Sequence, residues 1–258
     1  MHESIAEHYE RLASDYDGNW EHSAEYVSWM NGMIAETLDI RPGDRVADIG
    51  GGTGIFQRGL LASVSSRTPL LCVDPSPRML EQVPEDSRVR TLCAGAEDVA
   101  SARVELPYGE LDAILVKETI HHVDDVSGTI RGLARLLAPG GKLLVISLPP
   151  LLDYPLFQAA LDRFAANQPD PAALAAAMRD AGLDATLEYH DHNVVVDREH
   201  YIQLVRDNRW MSVLSTFTTE ELDAGVAEMR AAHPEDTLRF TDRFGFVLGR
   251  NTQPRERS

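Results

Sequence analysis

Residues 46–56 read "VADIGGGTGIF": a short apolar run carrying Asp48 near its end, followed by Gly50, Gly51, Gly52 and Gly54. In open parallel sheets a ligand sits outside the carboxyl ends of the strands, and the first strand–loop–helix turn is the favoured place. The kind of glycine spacing therefore matters. Gly50, Gly52 and Gly54 form G-x-G-x-G, whereas a dinucleotide fingerprint needs a further glycine where this chain has Ile55 or Gln57. The phosphate loop G-x-x-x-x-G-K-[ST] is absent as well, since the first lysine in the chain is Lys117. The spacing points to a ligand smaller and less anionic than a dinucleotide.

Outward from this turn the pattern alternates. "RVADI", "PLLCVD", "RVRTLCA", "LDAILVK" and "KLLVISL" are apolar strand candidates, and "GIFQRGLLASV", "SPRMLEQV" and "VSGTIRGLARLLA" are helix candidates between them. Buried strands joined by helical crossovers imply a parallel sheet covered on both faces. Upstream, "SIAEHYERLASDYDGNW" and "AEYVSWMNGMIAETLDI" place apolar residues at helical spacing. Downstream, two helices are split at Gln168–Pro169–Asp170–Pro171, and "DATLEYHDHNVVV" reads as a sixth strand. A helical stretch, about 198–232, then precedes "TLRFTDRFGFVLGR", a final strand suited to antiparallel pairing with the sixth. The expected fold is α/β: a doubly wound, Rossmann-like, seven-stranded sheet with its last strand antiparallel, an N-terminal helical cap and a C-terminal helical insertion. One domain is expected over 1–258, with cap helices in 1–40, a ligand-binding core in 41–148 and a C-terminal half in 149–250 carrying the lid insertion.

Composition narrows the partners. The chain has 258 residues and a net charge of -17, and no run of Lys or Arg offsets that charge, so nucleic acid is not expected. No stretch approaches the length of a membrane span, and the first residues are polar and acidic rather than signal-like. The expectation is a cytoplasmic monomer or homodimer acting on a small molecule. Cys72 and Cys93 lie in apolar runs and read as buried thiols. His190 and His192 share a strand face, but Asp191 points away, so no metal site is expected.

"VADIGGGTGIF" resembles motif I of the class I S-adenosylmethionine (SAM)-dependent methyltransferases. Close backbone passage at Gly50, Gly52 and Gly54 suits the methionyl arm of SAM, and Asp48 can accept from its ammonium or order a water beside it. Asp74, which ends "LLCVD" and precedes Pro75, resembles the carboxylate this family places on the ribose hydroxyls. In "CAGAEDV" the family's customary acidic residue near adenine is replaced by Gly95, which leaves Glu97, Asp98 or the backbone at Ala96 for the ring. "LDAILVKETIHHVDD" and "LARLLAPGGKLLVIS" resemble the family's next two motifs, so the likeness covers about residues 44–148. It implies methyl transfer from SAM to a small organic acceptor through an O, N or C nucleophile, possible for a biosynthetic or natural-product intermediate, with S-adenosylhomocysteine as product. Two alternatives stand beside it: a SAM-binding protein or pericyclase-like enzyme that transfers no methyl group, and an NAD-dependent reductase, which the glycine spacing disfavours.

Methyl transfer from a sulfonium develops no oxyanion, so a base is needed only for a nucleophile that arrives protonated. Candidates cluster in "KETIHH". Lys117 could meet an acceptor anion or the SAM carboxylate, or simply pair with Glu118. A histidine bonded to backbone is the commoner account of both His121 and His122, and if one of them is the base, His121 is favoured. Tyr16, in the N-terminal cap, is a third candidate near the reacting groups. For acceptor binding the candidates are Trp20, His122, Tyr201, Arg209, Trp210 and Arg243, drawn from the cap, the loop after the fourth strand, the insertion and the last strand.

Overall fold

The computed structural model describes residues 23–207 and 211–253. Helix α1 (Ala24–Leu38) starts where the Ser23 hydroxyl accepts the Tyr26 N–H at 3.2 Å and stops at Asp39, in the left-handed region at φ 41°. The core then runs β1 (Val46–Ile49), β2 (Leu70–Asp74), α2 (Pro77–Leu80), β3 (Val89–Cys93), α3 (Ala96–Ala100), β4 (Leu111–Lys117), α4 (Val126–Arg135) and β5 (Leu137–Ser147). The C-terminal half adds α5 (Gln158–Asn167), α6 (Pro171–Asp180), β6 (Asp184–Asp197), α7 (Arg198–Arg206), α8 (Thr219–Ala232) and β7 (Thr237–Arg250).

The seven strands are ordered β3-β2-β1-β4-β5-β7-β6. β1 pairs in parallel with both β2 and β4, and all four of its residues are buried, as a strand covered on both faces requires. β7 is antiparallel to β6, as expected of the final strand, and it is antiparallel to β5 as well, inserted between the two. Apolar side chains alternate to two layers. Val46, Leu70, Leu115 and Leu144 face α1 and the C-terminal helices, while Ala47, Leu71, Ile114 and Val145 face α3, α4 and α6. Strand order reverses between β1 and β4, which opens a crevice at their carboxyl ends.

Local details depart from the sequence pattern at four places. "GIFQRGLLASV" is a series of turns with one short 3-10 segment, Arg58–Leu60, because Gly54 sits at φ 77° and α1 supplies the bonds a helix would have made for itself. Asn31 donates to the Ile55 carbonyl at 3.0 Å and accepts the Gly59 N–H at 2.7 Å. "SPRMLEQV" forms only the four residues of α2. The "PGG" turn is absorbed into β5, with Gly140 at φ 83°. Cys93 is exposed, since β3 is an edge strand, so only Cys72 is the buried thiol the composition suggested. The start of the last helix matches its sequence signature: Thr218 accepts the Glu221 N–H at 3.2 Å, and Glu221 accepts the Thr218 N–H at 2.7 Å. No helix among the described residues is long and apolar enough to cross a membrane.

Candidate functional site

A cavity of about 420 Å³ occupies the crevice at the ends of β1, β2 and β4 and continues beneath α5 and the segment before α8. Its glycine wall is fixed by backbone. Gly50 and Gly51 N–H both donate to the Val73 carbonyl, at 2.7 and 3.0 Å, which folds the loop across the end of β2. Gly50 and Gly52 have φ of 76° and 55°, conformations that favour glycine. A Cβ on Gly50 would collide with the Thr119 side chain. A Cβ on Gly51 would stand 2.8 Å from Cys72 Sγ and 2.9 Å from Asp48 Oδ2. Gly50 and Gly51 are therefore held against the protein behind the wall, and Gly52, with open space where a Cβ would stand, presents bare backbone to the cavity.

Two carboxylates lie behind it. Asp74 spreads its oxygens: Oδ2 accepts the Gly52 N–H at 3.0 Å and Oδ1 the Ser76 N–H at 2.9 Å. Asp48 is 2% exposed, and burial together with the Asp74 charge pushes its carboxyl up to about 7, opposed by Lys117. A cationic ligand would relieve both groups. At the far end, Pro75, Ala96 and Glu97 line the cavity. Asp98 is engaged locally, accepting the Gly95 N–H at 3.2 Å and pairing with Arg103 at 2.8 Å. Glu97 accepts the Asp125 N–H at 3.2 Å.

The opposite half is aromatic and, among the described residues, holds one buried cation. Lys117, 7% exposed at the end of β4, places Nζ 4.0 Å from the Phe56 ring centroid and 5.7 Å from that of Phe244. Burial lowers its ammonium to about 8, while Glu118, Asp242 and Asp48 hold it up. The chain then turns sharply. Glu118 has φ 49°, an uncommon conformation for a residue with a side chain, and its Oε1 accepts the Leu148 N–H at 2.9 Å. Burial raises the Glu118 carboxyl. A 3-10 turn, Ile120–His122, sets the two histidine rings against each other, tilted by 53° with centroids 3.9 Å apart. Burial, His122 and Lys117 hold His121 well below the ordinary histidine value, and its Nδ1 is buried without a partner among the described residues.

The structure brings Asp48, Gly50, Gly52, Asp74, Pro75, Ala96, Glu97, Lys117, His121 and His122 to this one cavity. Gly54 stands behind the wall, buried over Gln57, where it bends the chain rather than meeting a ligand. Tyr201 is buried in the helical layer with its ring 5.5 Å from that of Phe240, away from the cavity lining. Arg243 requires a correction: it faces outward and forms two 2.8 Å hydrogen bonds with Asp191, its register partner on β6. Tyr16, Trp20, Arg209 and Trp210 lie outside the described residues. The sequence reading missed Phe56, Tyr154, Asp242 and Phe244, all of which line the cavity. The period-two alternation of "RFTDRFGF" was the available signal, since it sets Asp242 and Phe244 on the face opposite Arg243.

Residues 47–145, from β1 to β5, match the family model for a methyltransferase domain. The chain is a class I SAM-dependent methyltransferase, and its cofactor is SAM. It is 26% identical over 215 residues to the ubiquinone/menaquinone biosynthesis C-methyltransferase of Vibrio campbellii, covering 72% of this chain and 82% of that one. Its fold is similar to a putative methyltransferase from an antibiotic biosynthesis pathway of Anabaena variabilis, with TM-score 0.65, 16% identity, and 86% and 96% of the two chains covered. It is also similar to Haemonchus contortus phosphoethanolamine N-methyltransferase 2 bound to phosphomonomethylethanolamine and S-adenosylhomocysteine, with TM-score 0.60, 16% identity, and 97% and 60% covered. The open face at Gly52 and the paired Asp48 and Asp74 carboxylates suit a ligand with a sulfonium and an ammonium.

Proposed function

We propose that the enzyme methylates a small, partly apolar organic acceptor held in the aromatic half of the cavity, between Phe56, Phe244 and Tyr154. The observation that supports this reading is the continuity of one cavity from Asp74 to Tyr154 and Phe164, with the Asp48 and Asp74 carboxylates at one end and rings around the buried Lys117 ammonium at the other. When bound, SAM supplies an electrophilic methyl group on sulfur. Asp74 and the Gly50–Gly52 backbone would hold its nucleoside and methionyl arms. Glu97 and the Ala96 backbone are the groups available to adenine. Lys117 and the aromatic walls orient the acceptor and exclude water from it, so that positioning and desolvation supply much of the acceleration.

The reading is tested by calorimetric titration of SAM, followed by mass detection of S-adenosylhomocysteine with a panel of aromatic and aliphatic acceptors. Stoichiometric SAM binding with acceptor-dependent product is expected. SAM binding with no product from any acceptor would favour a protein that uses SAM without transferring its methyl group. Stabilisation by NADH instead of SAM would sink the assignment of the glycine wall.

A further inference from the structure

We propose that the methyl acceptor carries a weakly acidic hydroxyl, of the phenol or enol class, and that Asp242 takes its proton through Oδ1. This rests on the reading that the acceptor occupies the aromatic half of the cavity. Asp242 is 3% exposed on β7, on the same strand face as Phe244, and it lines the cavity. The Tyr154 hydroxyl donates to its carboxylate, while Oδ1 is buried without a partner among the described residues. A buried carboxylate oxygen without a donor at a cavity wall is costly unless a ligand supplies the hydrogen bond.

The groups around Asp242 define what that ligand can be. Lys117 and Glu118 face it from the end of β4, Tyr154 from the segment after β5 and Tyr201 from α7, and His192 is its register partner on β6. Burial raises its carboxyl to about 6, with Tyr154 and Lys117 opposing the rise. It is thus ionised at neutral pH and more basic than an ordinary aspartate, which suits a general base. His121 is the weaker candidate, because its imidazole is held well below the usual value and it stands on the turn whose Thr119 meets Gly50. Lys117 sits over the Phe56 ring near Phe244, where it stabilises an oxyanion and opposes a cationic amine.

The step balances as follows. The acceptor O–H bond breaks, the proton passes to Asp242 Oδ1, and the electron pair stays on the oxyanion that the Lys117 ammonium faces. The nucleophilic atom, oxygen or conjugated carbon, bonds to the methyl group while the S–CH3 bond breaks and its pair returns to sulfur. Asp242 then releases the proton to solvent.

Two measurements on the full chain test this. Without SAM, binding of 4-methylphenol and of 4-methylanisole, which has no proton to give, is compared by calorimetry as pH crosses about 6. The phenol should bind about 10-fold tighter above that pH, where its hydroxyl meets a charged acceptor, and the preference should shrink below it. Equal affinities at every pH overturn the proposal. With SAM, turnover is measured with 4-methylphenol, with acetylacetone as an enol, and with the more acidic 4-nitrophenol. D242N should lose about 100-fold or more with 4-methylphenol and far less with 4-nitrophenol, about half of which arrives already ionised at neutral pH. An equal loss with all acceptors overturns the base assignment. Should D242N fail to fold, Tyr154→Phe serves, because losing the hydroxyl must move the acid limb of the rate profile upward, and an unmoved limb counts against Asp242. A protein that binds SAM yet methylates amines only, or no phenol or enol, overturns the acceptor class and leaves the methyltransferase assignment standing. Failure to bind SAM would remove both, and the SAM titration separates the two cases.

Discussion

Asp74→Asn isolates the carboxylate that organises the cofactor end. The wild-type side chain accepts the Gly52 N–H at 3.0 Å on one oxygen and the Ser76 N–H at 2.9 Å on the other. An amide can satisfy only one of these, because its nitrogen would face the second N–H donor with a donor of its own. The glycine wall therefore loses an anchor, and any ribose hydroxyl loses a charged acceptor. Charge-assisted hydrogen bonds contribute about 1.5–3 kcal/mol each, and removal of the Asp74 charge also eases the burial of Asp48, which offsets part of the loss. A net weakening of about 2–3 kcal/mol corresponds to roughly 30- to 150-fold in Kd. Thermal denaturation reads this directly. At SAM 1,000-fold above the wild-type Kd the bound form gains about 4 kcal/mol, whereas a variant binding about 100-fold more weakly gains only about 1.4 kcal/mol at the same concentration. S-adenosylhomocysteine should show the same loss, since it shares the ribose. A change in Kd below about threefold for both ligands would refute the role given to Asp74.

Gly51→Ala should weaken SAM binding more than about 10-fold and cost about 1–3 kcal/mol of stability, because its methyl meets Cys72 Sγ and Asp48 Oδ2 at under 3 Å; calorimetry and denaturant melts check both. Asp48→Asn should stabilise the ligand-free protein at pH 8 by up to about 4 kcal/mol, the cost of holding a carboxyl at about 7 that unfolds to 3.8. The sign follows from proton uptake. The folded state binds the extra proton between those values, so wild-type stability falls as pH rises through the window, and the advantage of the variant should vanish below pH 3.8. The ratio kcat/KM should rise with pH through about 6 as Asp242 ionises and fall above about 8 as Lys117 loses its charge, while Lys117→Met should abolish the alkaline limb. Arg243→Ala, which breaks only an exposed pair with Asp191, should leave turnover and SAM affinity within a factor of about two.

The parts of this molecule legible in its sequence are those governed by short-range rules. The strands of the core follow from buried apolar runs, and the cofactor wall follows from glycine spacing and a strand-ending aspartate, each readable within a dozen residues. Where local propensity competes with a tertiary bond, the pattern misleads. Residues 54–64 have helical composition, but Asn31 of α1 takes the Ile55 carbonyl and the Gly59 N–H, so turns replace the helix. The acceptor half is harder again, because its members come from separate places in the chain: Phe56 after the glycine loop, Lys117 at the end of β4, Tyr154 after β5, Asp242 and Phe244 on β7. Their meeting depends on β7 inserting between β5 and β6, a register no local window contains. Parity along β7 is nevertheless visible in the sequence, and it divides "TDRF" into Asp242 and Phe244 on one face and Arg243 on the other. Arg243 in the pocket would bring a positive charge to the acceptor. Lys117 already supplies that charge from the centre of the sheet, so a second buried cation at residue 243 would share with it the same few carboxylates, Glu118, Asp242 and Asp48, whereas the outward Arg243 stays largely solvated and finds Asp191 across the strand.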